Sequence, residues 1–357
     1  MEDIVVELLQ IAKEKEASDV HLTVGIPPKM RVNGQLMNVG DSYGRLMPAD
    51  TERIADGILN ERQKAILDEQ GACDMSFSVP SMGRFRLNAF KQRGSIALAI
   101  RLVATQVPSP EELGIPESVR NLTRKKHGLV LVTGPTGCGK STTLASLIDI
   151  INKEREAHVI TLEDPIEYLH RHDRSIVNQR EIGLDALTYA DALRATLRED
   201  PDVILVGEMS DYDTISIAVR AAETGHLVFS TLHTIGAAST VDRIIEIFPP
   251  YQQQQIRVQV ANVLEAVVSQ QLIPRADGSG RVAAFEVMLS NSAVRNLIRE
   301  NKSFQLGAVI ETNRKAGMIT MDEALYNLTA EGRITPDMAL QHAQNPEQFA
   351  ARIRAFS

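Results

Sequence analysis

The stretch GLVLVTGPTGCGKSTTLASLIDIINKE, residues 128–154, decides the fold. An apolar run, a glycine-rich turn and a long amphipathic segment follow one another without a gap, the order of strand, loop and helix. Within it Gly134, Gly139, Lys140 and Ser141 match G-x-x-x-x-G-K-[ST]. Along Gly134-Pro135-Thr136-Gly137-Cys138-Gly139 the glycines let backbone N–H groups close around phosphate oxygens, and the helix that follows adds its dipole. Lys140 is expected on the β- and γ-phosphates of ATP and Ser141 on Mg2+, with Thr142 completing the nucleotide-binding run. Cys138 reads as a tolerated small residue rather than a redox centre.

From about residue 125 strands and helices alternate, the pattern of a parallel sheet covered by helices. GLVLV, HVITL, DVILV and HLVFS are short continuous apolar runs, as buried parallel strands should be. Three of the strands end in polar residues. ITLEDPIE brings Glu163, Asp164 and Glu167; VILVGE brings Glu208; HLVFSTLH brings Ser230, Thr231 and His233. The carboxyl ends of parallel strands line one ligand-binding edge, so all three clusters are expected beside the glycine-rich loop. Glu208 reads as the acid that holds Mg2+ through water, the alternative being the start of a surface helix. The residues alone leave the water-orienting base open among Glu163, Asp164 and Glu167, some of which could cap the turn at Pro165. His233 is a candidate sensor of the γ-phosphate and His226 begins the same strand, although a lone histidine is often structural.

Residues 1–106 read as a small α+β domain. DVHLTV is a strand, KMRVNGQLMNV a hairpin turning at Asn33-Gly34, and helical patterns follow around residues 50–69. DMSFSV, RFRLNAF and SIALAIRLV are three further strands. Strand alternation puts Arg84, Arg86 and Asn88 on one face and Phe85, Leu87 and Ala89 on the other, and in the next strand sets Arg101 apart from Leu98, Ile100 and Leu102. Two strands thus present arginines on a polar face, which is either solvated or turned toward a nucleotide across an interface. Arg194 and Arg198 are further phosphate or subunit-contact candidates. VPSPEELGIP, residues 107–116, carries three prolines and reads as a linker. The ATPase core is expected over residues 117–290 and a helical region over 291–357.

Composition excludes several classes. The 357 residues are 43% apolar with a net charge of −8, which argues against a nucleic-acid coat or translocase, as do the absence of Trp and the 4% aromatic content. Two cysteines, Cys73 and Cys138, are too few for a disulfide framework or a four-thiolate zinc site. The first residues form an acidic amphipathic segment unlike a signal peptide, and no apolar run approaches the ~18 residues of a membrane span. A cytoplasmic protein that docks peripherally is the expectation.

GPTGCGKSTT, TLEDPIEYLH, REDPDVILVGEMSD and ETGHLVFSTLHT resemble, in order, the Walker A, Asp-box, Walker B and His-box segments of the type II/IV secretion-type hexameric ATPases. Within that superfamily the chain is similar to the type IV pilus retraction ATPases, from ASDVHL near its start to NPEQF near its end. The resemblance implies a PAS-like N-terminal domain, a RecA-like P-loop ATPase domain and a homohexamer whose sites draw on more than one domain or subunit. It makes Glu167 the general base, Glu208 the Walker B acid, His226 and His233 the His-box residues, and Arg86 and Arg101 the phosphate-facing arginines. It also implies a cytoplasmic motor at the inner face of the cell membrane, engaging the inner-membrane pilus platform protein and other pilus ATPases. Assembly or secretion ATPases of the same superfamily are the alternative. Where retraction ATPases commonly read GEMRD, this chain has Ser210, with Arg220 later on the following helix as a compensating charge. SNSAVRNLIRE, residues 290–300, resembles the AIRNLIRE segment of retraction ATPases, and Arg295 and Arg299 are candidates for coupling hydrolysis to retraction.

Overall fold

Parallel and antiparallel pairing divide this chain as its hydrophobic patterns do. The computed structural model describes residues 3–32, 34–40, 43–80, 82–103 and 106–354. They form two compact units, residues 1–106 with Glu167–Leu169, and residues 107–166 with 170–357.

The first unit opens with helix α1 (Asp3–Glu14) and continues through strands β1 (Asp19–Leu22), β2 (Lys29–Val32) and β3 (Gln35–Asn38). Helices α2 (Pro48–Ile58) and α3 (Glu61–Gln70) follow, then β4 (Ala72–Val79), β5 (Gly83–Gln92) and β6 (Ser95–Leu102). The strands make one antiparallel sheet in the order β3-β2-β1-β6-β5-β4. Val5, Leu8, Leu9 and Ala12 recur at helical spacing on α1 and share a core with Val20, Leu22, Leu87, Ala89, Leu98 and Ile100. Val32 pairs with Gln35 in the expected hairpin; Gly34 has φ +81°, while Asn33 lies outside the described residues. On the sheet's other face the register sets Arg31 opposite Asp19, Asp19 opposite Arg101, Arg101 opposite Arg86, and Arg86 opposite Ser76.

The second unit begins with α4 (Glu117–Arg120), β7 (Gly128–Thr133), α5 (Lys140–Glu154), β8 (His158–Glu163), β9 (Ile176–Glu181) and α6 (Tyr189–Thr196). It continues with β10 (Val203–Val206), α7 (Tyr212–Glu223), β11 (Leu227–Leu232), α8 (Ala237–Glu246), α9 (Pro250–Val263), β12 (Leu264–Pro274) and β13 (Arg281–Leu289). Helices α10 (Ser292–Arg299), α11 (Leu306–Thr312), α12 (Met321–Ala330), α13 (Pro336–His342) and α14 (Pro346–Ile353) complete it.

Its sheet runs β13-β12-β7-β11-β10-β8-β9, parallel except for β13, which pairs antiparallel with β12. Along β7 the side chains alternate: Val130 and Val132 join Leu144, Leu147, Ile148 and Ile151 of α5 on one face. Leu129 and Leu131 join the apolar residues of α7, α8 and α9 on the other. Both faces being covered, the central strands β7, β10 and β11 are buried along their whole length, as expected of a RecA-like α/β core. The expected strands are present, and β9, β12 and β13 add to them. IVNQRE is largely polar, and LEAVVSQQLIP carries two glutamines in its middle.

One irregularity sets the phase of β12. Leu264 pairs with Leu129 and Ala266 with Val130, which makes Glu265 an extra residue in a β-bulge. There is no room for a side chain at Gly128 opposite it: a Cβ would lie 2.5 Å from Glu265 Cγ. Glu265 binds Lys125 at 2.7 Å and Arg295 at 3.5 Å.

Beyond β13, α12, α13 and α14 pack Leu325, Ala339 and Phe349 against Ile273 and Val282. Asn291 caps α10 by accepting from Val294 N at 2.9 Å, and Val294 and Ile298 are buried. Arg295 also donates to Ser290 Oγ and Arg299 to Asn262 Oδ1, so α10 is tied to the core by both arginines. Among the described residues no helix is long and apolar enough to cross a membrane.

Candidate nucleotide site

Strands β7, β11, β10 and β8 are parallel and in register, with Thr133 beside Leu232, Ser230 beside Val206 and Val206 beside Leu162. Their carboxyl ends therefore form one edge, and the residues that follow them meet there. Side chains fix the exits: Ser230 Oγ donates to Val206 O at 2.7 Å and Thr231 Oγ1 to Gly207 O at 2.6 Å. Gly207 N in turn donates to Leu162 O at 2.7 Å.

The loop after β7 turns on Gly134 (φ +140°) and enters α5 through Gly139 (φ +90°), conformations that side-chain-bearing residues seldom adopt. A Cβ on Gly134 would sit 2.2 Å from Gln270 O and 2.7 Å from Cys138 Sγ, so the backbone there is packed against β12 as tightly as it can be. The Cys138 thiol is buried, which pushes its pKa up and outweighs the opposing pull of Lys140. It therefore lacks the thiolate character of a redox centre.

Lys140 is buried, and its Nζ donates to the carbonyls of Gly134 at 2.8 Å and Pro135 at 3.1 Å. It also lies 3.4 Å from His233 Nδ1, which Thr136 Oγ1 approaches to the same distance. An ammonium only donates, so Lys140 bonds this ring through Nδ1 as acceptor, which leaves Nε2 as the ring's other polar atom. That nitrogen faces Glu208 Oε2 at 3.5 Å, and Ser210 Oγ donates to Glu208 Oε1 at 3.1 Å. Lys140, His233, Glu208 and Ser210 thus form one continuous row along the strand ends. Ser210 reaches Glu208 itself, whereas Arg220 is in the last turn of α7, about 12 Å along the helix from its start.

Glu163 closes β8 and accepts from Thr161 Oγ1 at 2.6 Å and from Gln179 Nε2 at 3.0 Å. Tyr189, absent from the sequence-based candidates, marks where the acids converge. Burial, with the nearby charges of Asp164, Glu208 and Glu163, raises its phenol far above the ordinary range. Its hydroxyl fills the space beside Gly207, where a Cβ would come within 2.6 Å. Only the glycine at the end of β10 admits it.

Other candidates lie elsewhere. His226 precedes β11, at the sheet edge opposite the glycine-rich loop, and its Nδ1 meets Ala221 O at 2.9 Å at the end of α7. The length of β11 keeps it about 20 Å from His233. Glu167 groups with the first unit, as do Arg86 and Arg101. Arg86 pairs with Asp74 at 3.8 Å and Arg101 with Asp19 at 2.9 Å. Arg194 pairs with Asp191 at 3.1 Å and with Asp213 at 3.6 Å.

A buried carboxylate fastens the segment that follows His233. Glu286 of β13 accepts from Ala237 N at 2.8 Å, Met321 N at 3.2 Å and Gln344 Nε2 at 3.1 Å. It joins the first residues of α8 and α12. Burial raises its pKa against the pull of those donors. Ser269, on the neighbouring strand, accepts from Gly236 N at 3.0 Å.

The donor set fits a nucleotide with Mg2+. The loop backbone is open for phosphate oxygens, Lys140 supplies a cation, and the Ser141 hydroxyl and Glu208 carboxylate are hard oxygen ligands of the kind Mg2+ takes.

Comparison with known proteins agrees with this geometry. The family of type II/IV secretion system proteins matches residues 1–335. The type IV pilus retractation ATPase PilT of Pseudomonas aeruginosa is 44% identical over 345 residues, 97% of this chain and 99% of its own. A twitching motility protein of Neisseria gonorrhoeae is 45% identical over 323 residues, 90% of this chain and 86% of its own. The crystal structure of the pilus retraction motor PilT with bound ADP superposes with a TM-score of 0.89 at 48% identity, covering 96% of this chain and 98% of that one. Since the strand-end row from Lys140 to Ser210 falls wholly within the matched residues, the chain belongs to the type II/IV secretion system protein family, among its PilT-like pilus retraction ATPases.

Proposed function

We propose that this chain is an ATPase motor of type IV pilus retraction, working as a homohexameric ring at the cytoplasmic face of the inner membrane. The observation that carries the reading is the row Lys140–His233–Glu208 beside the glycine-rich loop, in a chain aligned end to end with a retraction ATPase. Lys140 holds the β- and γ-phosphates, and Ser141 and Glu208 hold Mg2+, which would neutralise charge on the phosphates. His233, fixed between Lys140 and Glu208, reports the presence of the γ-phosphate to the segment leading into α8. Glu167 orients the attacking water, a role assigned by its place in the Asp box. Arg86 and Arg101 bring positive charge to a neighbouring subunit's nucleotide, and His226 meets a nucleotide other than its own. The ring docks on the pilus platform protein.

The test combines chemistry with phenotype. Deletion of the gene should leave surface pili in place and abolish twitching; loss of all pili would identify an assembly motor instead. In mixed rings, Arg101→Ala and Lys140→Ala subunits should rescue each other's turnover in part if each site is shared, and the absence of any rescue would argue for self-contained sites.

A further inference from the structure

Gln270 lies on β12, well away in sequence from the glycine-rich loop, yet its side chain reaches it. It is 2% exposed, and both ends of its amide are used. Nε2 donates to Cys138 O at 2.7 Å, and Oε1 accepts from Thr143 Oγ1 at 2.7 Å. Cys138 belongs to the rising limb of the loop and Thr143 to the first turn of α5, so one side chain joins the two arms that enclose the phosphate position. Its backbone forms the third contact, since Gln270 O packs under Gly134 too closely to admit a Cβ. Nε2 is also within 3.0 Å of where a Cβ on Gly139 would lie. Gly134 and Gly139, two of the loop's three positive-φ glycines, are therefore both backed by the same residue.

We propose that Gln270 is a positioning residue of the phosphate loop: it sets the spacing between the Cys138 carbonyl and α5, and so aims the loop N–H groups at the nucleotide phosphates. The chemistry specifies glutamine. One end must donate to a carbonyl and the other accept from a hydroxyl, with no charge left in a buried place. Glutamate would turn an anionic oxygen toward the Cys138 carbonyl, and asparagine is one carbon too short to span both partners. The inference rests on residues 134–141 being the phosphate site.

The test is equilibrium binding of ADP to the full chain, with thermal melting in parallel. Gln270→Met keeps the volume and removes both hydrogen bonds, and should weaken ADP binding by about tenfold or more. Thr143→Val removes one bond from the other side and should weaken ADP binding severalfold, while Thr143→Ser restores it. This pair carries the test should Gln270→Met fail to fold. Wild-type ADP affinity in Gln270→Met or in Thr143→Val, whatever the melting temperature, would overturn the proposal, because it would leave Gln270 a packing residue only. Lys140→Ala separates the two levels. If it loses ADP while the other variants keep it, the positioning role alone fails; if it too binds ADP normally, the phosphate site itself has been misassigned.

Discussion

Arg86 and Arg101 stand directly opposite each other on β5 and β6, two guanidinium groups on one sheet face, each held by its own aspartate. Like charges paired across strands oppose folding by up to about 1 kcal/mol. Asp19 offsets part of this. Burial works to raise its carboxyl, but the Ser18 hydroxyl and the Arg101 guanidinium outweigh it and hold the pKa below its usual value. Arg101→Ala should therefore shift the melting temperature by no more than about 2 °C. Its turnover should fall by roughly tenfold or more if the arginine serves a phosphate. Steady-state ATPase assays beside melting curves check the pair; a large loss of stability with normal turnover would make the arginine structural.

Lys140→Ala and Glu208→Ala remove the cation and the carboxylate on either side of His233. Each should lower ATP turnover by at least about a hundredfold. Phosphate release measured at saturating ATP decides it, and wild-type-like hydrolysis in either would refute the site.

Ser210 donates a single hydrogen bond to Glu208 from an exposed position. Ser210→Ala should reduce turnover by roughly threefold, the worth of about 0.6 kcal/mol, and leave ADP binding unchanged. An effect on ADP affinity equal to the effect on turnover would show that the serine supports the whole site and not the acid alone.

Gly134→Ala forces a Cβ to within 2.2 Å of Gln270 O, at φ +140°. The loop must move or the chain must strain, and nucleotide binding should be lost together with about 2 kcal/mol or more of stability. Calorimetric titration with ADP and chemical denaturation give the two numbers.

Glu286 makes stability depend on pH. Its pKa is raised in the folded state, so the fold binds a proton that the unfolded chain releases once the pH passes the ordinary glutamate value of 4.5. The group's contribution is full below that value and is lost as the pH rises through the folded value. Glu286→Gln should flatten this slope. It should also cost about 1–3 kcal/mol, because an amide NH2 would confront the donors at Met321 N and Gln344 Nε2 or at Ala237 N. Urea denaturation at several pH values measures both effects, and an unchanged slope would count against the buried acid as its source.

Much of this architecture was legible locally. The glycine-rich loop, Lys140 and the acid after β10 sit within a few residues of apolar runs that announce their strands, and parallel pairing alone brings their ends together. Strand alternation also separated Arg86 and Arg101 from Leu87 and Ile100. What escaped depends on contacts far apart in sequence. Gln270 looks like an ordinary polar interruption of an apolar run until β12 is laid beside β7, and Glu286 looks like a surface acid until α8 and α12 begin on either side of it. For His226 the strand pattern itself carries the separation, since a strand covering the residues between it and His233 holds the two apart.

The bulge at Glu265 has a consequence for how this protein tolerates insertions and deletions. Beyond it Ser269 aligns with Thr133, so Ser269 turns to Gly236 and Gln270 to Cys138, while Gln271 meets His342 of α13. Strand side chains alternate, so deleting the one extra residue and restoring regular pairing would slide β12 by a single position and exchange the faces of all three. The phosphate loop, the segment behind His233 and the C-terminal helices would lose their partners together. The six residues between β12 and β13, Arg275–Gly280, lie beyond these contacts and are tied to the C-terminal region through Ala276 N, which donates to Arg333 O at 2.9 Å, so a change of length there leaves the phase of β12 unaltered. Reading frame within the fold, as much as residue identity, is thus what Glu265 preserves.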